Sequence, residues 1–224
     1  MTKRDSEAGF TLVELLVAMI IGMITIFAAF GLIDATTTGT AKVTGRTDAS
    51  ARGRVAMDAI TRSLRSQVCV NGVVPISAAD ANSVTFTADL SSNGLSDQRR
   101  LSFDSIANTI TLGVKTGTGN EPSRSFPATS FTNEVLLADV VADGATPIFS
   151  YWADVAGTGG SQQTQLTTLP LSATDVRRVA RIDITFAARP SKDTTTRSWA
   201  STLEDSVTMR AVDANDSNPS FECP

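Results

Sequence analysis

Four places in the chain carry residues whose types and spacing suit chemistry. The first is Glu14, the one carboxylate inside an otherwise uncharged apolar run from Phe10 to Ile33. Burying such a group in hydrocarbon costs on the order of 2.5–3.5 kcal/mol on insertion scales for the comparable aspartate. That cost calls for a cation, and no basic side chain lies within two helical turns. A cut after Gly9 supplies one, because it frees the α-amine of Phe10 four residues before Glu14. The other solution is a carboxylate at the interface that reaches water by its own stem. The second place is the cysteine pair, Cys69 and Cys223. In an exported protein an even pair suggests a disulfide, tying the tail to the end of a helix, with roughly 5 kcal/mol of loop-closure entropy behind it. Two free thiols or a bond between chains are the alternatives. The third is Asp213, Asn215 and Ser217, whose oxygens alternate as in a calcium loop. The sixth-position glycine and the distal glutamate of such a loop are missing, and a polar tail explains the segment better. The fourth is a basic stretch, residues 42–68, with six cations against two acids.

Much other chemistry is excluded by composition. The 224 residues contain no histidine, which removes Ser-His-Asp and Cys-His nucleophiles and every imidazole metal site. There is no G-x-S-x-G, S-x-x-K, P-loop or complete G-x-G-x-x-G. The net charge is −4 and the aromatic content 6%. Such a chain lacks the concentrated basic surface and the stacking platforms that nucleic acid needs. The expectation is a protein without catalytic residues, cofactor or resident metal.

These residues must be positioned by a small set of elements. Phe10 to Ile33 reaches about 36 Å as a helix, enough for a bilayer core of about 30 Å. A buried core helix is the competing reading, but core helices rarely stay apolar on every face for so long. Lys3 and Arg4 precede the run and the next basic residue is Lys42, so the positive-inside rule leaves the N-terminus in the cytoplasm. A secretory signal peptide fits poorly, because the apolar region is too long and no small-residue cleavage site follows promptly. The small residues, Ala8 and Gly9, stand before it.

Gly9-Phe10-Thr11-Leu12-Val13-Glu14-Leu15, with a short charged leader before it and an apolar helix after it, resembles the type IV prepilin signature. The resemblance implies that a membrane prepilin peptidase removes residues 1–9 on the cytoplasmic side, then methylates the new amine of Phe10. It implies further that Glu14 pairs with the Phe10 amine of a neighbouring subunit during filament assembly. Family members that cap a filament tip often lack this glutamate, so its presence argues against the extreme tip.

Beyond the span, residues 34–70 are expected to continue as an amphipathic extracytoplasmic helix. Thr36, Thr37, Thr38 and Gly39 weaken its start, so fraying or bending is expected there. Met57, Ile60, Leu64 and Val68 then mark one helical face, and the helix is expected to stop near Cys69, before Asn71-Gly72. For the basic residues Lys42, Arg46, Arg52, Arg54, Arg62 and Arg65, a solvated or ion-paired face is preferred over contact with DNA or anionic lipid. Residues 71–224 show short β runs split by turns: 83–87, a hairpin of 100–103 and 109–112, then 135–141, 147–152, 181–187 and 205–211. Residues 113–125, 157–165 and 192–197 are expected loops. The fold class is therefore α+β, a long N-terminal helix packed on an antiparallel sheet head.

Residues 56–66, the hairpin Leu101 to Leu112 and the segment Leu203 to Arg210 also resemble W-type minor pilins and J-type pseudopilins. That implies a low-abundance accessory subunit of a type IV pilus or of a type II secretion-like pseudopilus. Its partners would be other pilin subunits through the N-terminal helix, the prepilin peptidase, the inner-membrane assembly platform and membrane lipid. It would sit in the cell membrane as a single-pass protein, its head extracytoplasmic, until built into a surface or periplasmic filament. The alternative is a membrane-anchored extracytoplasmic protein that binds a ligand or DNA and does not polymerise.

Overall fold

The computed structural model describes residues 11–70, 74–90, 95–121, 123–128, 130–191 and 200–209. Its first element is α1, Leu12–Arg65, and the chain divides into two compact units at Gly45 and Arg46.

In the first unit, residues 12–45 are helical throughout. The expected fraying at 34–45 does not occur. The threonine hydroxyls turn back onto the helix instead: Thr36 donates to the Leu32 carbonyl, Thr37 to Ile33 and Thr40 to Thr36 at 2.9–3.0 Å. This i to i−4 bonding is the helical way for threonine to satisfy its hydroxyl.

Among the described residues the second unit holds the rest of α1 and ten strands. Its part of α1 buries Ala49, Gly53, Ala56, Met57, Ile60 and Leu64, a stripe at steps of three and four. At Gly53 the helix approaches the sheet closely: a Cβ there would stand 2.6 Å from Leu203 Cδ1 and 3.3 Å from Ala188 Cβ. The helix ends at Arg65 rather than near Cys69, because the chain changes partner. Gln67 forms a bridge with Ala88, and the Val68 amide donates to Thr87 O at 3.1 Å.

The strands are β1 (Ile76–Ala79), β2 (Ser83–Ala88), β3 (Asp97–Asp104), β4 (Thr109–Thr116), β5 (Thr132–Ala138), β6 (Val140–Val141), β7 (Phe149–Asp154), β8 (Gln163–Leu166), β9 (Val179–Ala188) and β10 (Ser201–Thr208). A short helix, α2 (Ala173–Val176), precedes β9. Among the described residues the head has two antiparallel sheets where one was expected. The first is a meander, β1-β2-β3-β4-β5; the second has the order β10-β9-β7-β8, with β6 also on β9. Alternation sends Val84, Phe86, Leu101 and Ile110 of the first sheet, and Phe149, Tyr151, Ile182, Ile184 and Phe186 of the second, into one core with Ile60 and Leu64. Each such side chain stabilises the fold by roughly 1.5–3 kcal/mol relative to exposure.

The β3–β4 hairpin lies where the sequence places it, paired from Leu101↔Leu112 to Asp104↔Thr109. The Ala107 and Ile106 amides donate to Asp104 Oδ1 at 3.0 and 2.8 Å, closing the turn and holding that carboxyl below its usual range. The two sheets are fastened by Tyr151, whose buried hydroxyl donates to the carbonyls of Asp80 and Ser83 at 2.9 and 3.2 Å. Burial pushes its ionisation well up, so it stays a neutral donor. Three expectations are corrected. Gln163–Leu166, expected as loop, is a polar edge strand, with Gln163 Nε2 donating to Asp154 Oδ1 at 2.9 Å. The run 135–141 breaks at Asp139, which adopts a positive φ of 60°. The last strand begins at Ser201, four residues before its expected start.

Candidate functional site

The residues that could do chemistry meet at the start of α1. Thr11 is the cap residue before Leu12, and Glu14 occupies the third helical position. The Glu14 amide donates to Thr11 Oγ1 at 3.3 Å. In return the Thr11 amide and hydroxyl donate to Glu14 Oε2 at 3.5 and 3.4 Å. This reciprocal arrangement is a capping box, T-x-x-E, which satisfies amides that have no partner inside the helix. Glu14 also places negative charge where the helix dipole favours it. The T-x-x-E signal of this cap is present in the sequence.

The capping contacts do not fully engage the carboxylate. At 3.4–3.5 Å they are long hydrogen bonds. Glu14 is exposed, and among the described residues no cation pairs with it. Its surroundings are exposed as well: Leu12, Val13, Leu15, Leu16 and Val17 are 47–81% accessible. Every large apolar residue from Leu12 to Ile33 is open in the same way, and α1 is long and apolar enough to cross a membrane. A helix with no buried apolar face needs another solvent than water. Ala18 and Gly22 add a four-residue small-small step, which permits close helix approach.

The remaining sequence candidates scatter. Gly9 and Phe10 lie outside the described residues, as do Cys223 and the Asp213, Asn215 and Ser217 triplet. Cys69 packs at the margin of the core. Among the described residues no group of three metal-ligating side chains converges. Of the basic residues 42–68, Arg52 pairs with Asp48 at 2.9 Å and donates from Nη2 to the Arg189 carbonyl at 3.1 Å, while Arg62 pairs with Asp58. Arg54 and Arg65 line a groove that also holds Asp58, Glu204 and Asp205. Of the six, Arg52 and Arg62 thus make ion pairs within the helix.

Residues 4–30 match the family of the prokaryotic N-terminal methylation motif. That stretch contains residues 4–9 of the charged leader, Phe10, the capping box and most of the apolar run. No curated protein matches the chain.

Proposed function

From the premise that the methylation motif at residues 4–30 supports a type IV prepilin-like protein, we propose that this chain is an accessory filament subunit. The prepilin peptidase cuts it between Gly9 and Phe10 and the new Phe10 amine is methylated. Lys3 and Arg4 keep the N-terminus of the precursor in the cytoplasm, and the mature chain stands in the membrane through the apolar part of α1 with its head extracytoplasmic. The assembly platform then lifts it into a type IV pilus or type II secretion-like pseudopilus as a minor, W-type or J-type subunit. Its role is structural rather than catalytic.

The observation that supports this reading best is Glu14. It lies on an exposed apolar helix, capped only by long bonds and without a cation among the described residues. In the assembled state the Phe10 amine of a neighbour supplies that cation, at a depth where an unpaired charge is expensive. Filament fractions sheared from producing cells test it. The unmutated chain is expected in them, and Glu14→Val is expected to be processed yet stay in the membrane. Glu14→Val entering filaments as well as the parent would remove the pairing role; a parent never found there would favour the non-polymerising anchor. A Cys69–Cys223 disulfide is part of the same proposal, closing the tail onto the end of the helix once the head is exported. A non-reduced mass that retains both thiol hydrogens would overturn it.

A further inference from the structure

Part of the outward face of the first sheet differs in charge from the head around it. Three rows cross that face by register: Ser83, Ser102, Thr111 and Val135; Thr85, Arg100, Gly113 and Asn133; and Thr87, Gln98 and Lys115. They contain hydroxyls, amides and two cations, and no carboxylate. Asp104 and Thr109 form the next row of that face, so it is these three rows that are free of acid, in a stretch, residues 69–224, that carries 17 acidic against 11 basic residues.

The two cations are held together by an aromatic ring. Phe131 lies against buried Gly113, where a Cβ would come within 2.9 Å of Phe131 Cβ and 2.6 Å of Asn133 Oδ1. The Arg100 guanidinium carbon and the Lys115 ammonium each stand 4.5 Å from the ring centroid, so the charges are at most about 9 Å apart. Arg100 also donates from Nε to Thr85 Oγ1 at 3.3 Å. Neither cation has a carboxylate partner among the described residues. Two further acids are already occupied: Glu121 accepts from the Ser96 hydroxyl and amide, and Asp97, the first residue of β3, pairs with buried Arg124.

We propose that this face binds an acidic polysaccharide of the uronic-acid type. The Arg100 fork suits a carboxylate and Lys115 adds a second point charge one sugar or so away. Ser102, Thr111, Gln98 and Asn133 offer the donors and acceptors that sugar hydroxyls require. Single-stranded nucleic acid fits less well, since the one aromatic ring is flanked by the cations rather than free for a base. The inference does not depend on filament assembly, and the Glu14→Val chain should bind equally well.

The test uses the full chain, immobilised in a neutral detergent, against polygalacturonate, dextran and single-stranded DNA of matched length. Polygalacturonate is expected to be retained at low ionic strength and released as salt rises. Arg100→Gln with Lys115→Gln is expected to weaken retention about tenfold, while Arg54→Gln with Arg62→Gln changes it less than about twofold. Lys115→Gln alone, expected to weaken it about threefold, keeps the test readable if the double variant unfolds. Equal retention of dextran, tighter retention of DNA, an equal loss from the helix pair, or no effect of Lys115→Gln would each overturn the proposal.

Discussion

Residues 12–33 and 46–65 belong to the same helix and follow opposite side-chain rules. The first stretch carries leucine, isoleucine, valine and phenylalanine on every face, all exposed. The second sets Ala49, Ala56, Met57, Ile60 and Leu64 in one buried stripe, leaves Val55 exposed, and gives the other face to Arg54, Asp58 and Arg62. A helix that is apolar all round suits lipid or other helices of its kind; an amphipathic one suits a core with water behind it. The backbone hydrogen bonding is the same in both, so the periodicity of the side chains identifies the solvent of each half. Glu14 breaks the first rule, which is why the proposed pairing rests on it.

The comparison is broken most sharply by removing one isoleucine from each stretch. Ile60→Ala empties a fully buried position and is expected to destabilise the head by about 2–5 kcal/mol in chemical denaturation. Ile24→Ala, at a 64% exposed position, is expected to leave that transition where it was. A smaller effect separates two glycines. Gly53→Val drives a side chain into Leu203 and Ala188 and should cost about 1–3 kcal/mol. Gly31→Val meets nothing within 4 Å, so the head transition should be unchanged. Equal responses within either pair would mean that the two stretches share one environment.

The processing motif and the helix were legible because their signals are local: a fixed run of residue types and a period of 3.6. The same holds for the β3–β4 hairpin, whose alternating strands flank a polar turn. What stayed hidden depends on partners distant in sequence. β8 is Gln163-Thr164-Gln165-Leu166, a strand only because β7 offers an edge to it. β1 is two alanines beside Ile76 and Ser77, too weak a pattern to stand out. The division into two sheets rests on which strand pairs with which, and alternation along each strand carries no record of that. The Thr11–Glu14 cap is a different case, a local T-x-x-E signal legible in the sequence itself.

The central claim is that the apolar half of α1 is set free by a cut that creates the cation Glu14 requires. The most direct measurement is the mass of the N-terminal peptide of the chain purified from cells that hold a prepilin peptidase. The account predicts a peptide beginning at N-methylated Phe10. A peptide that still begins at Met1 would contradict it.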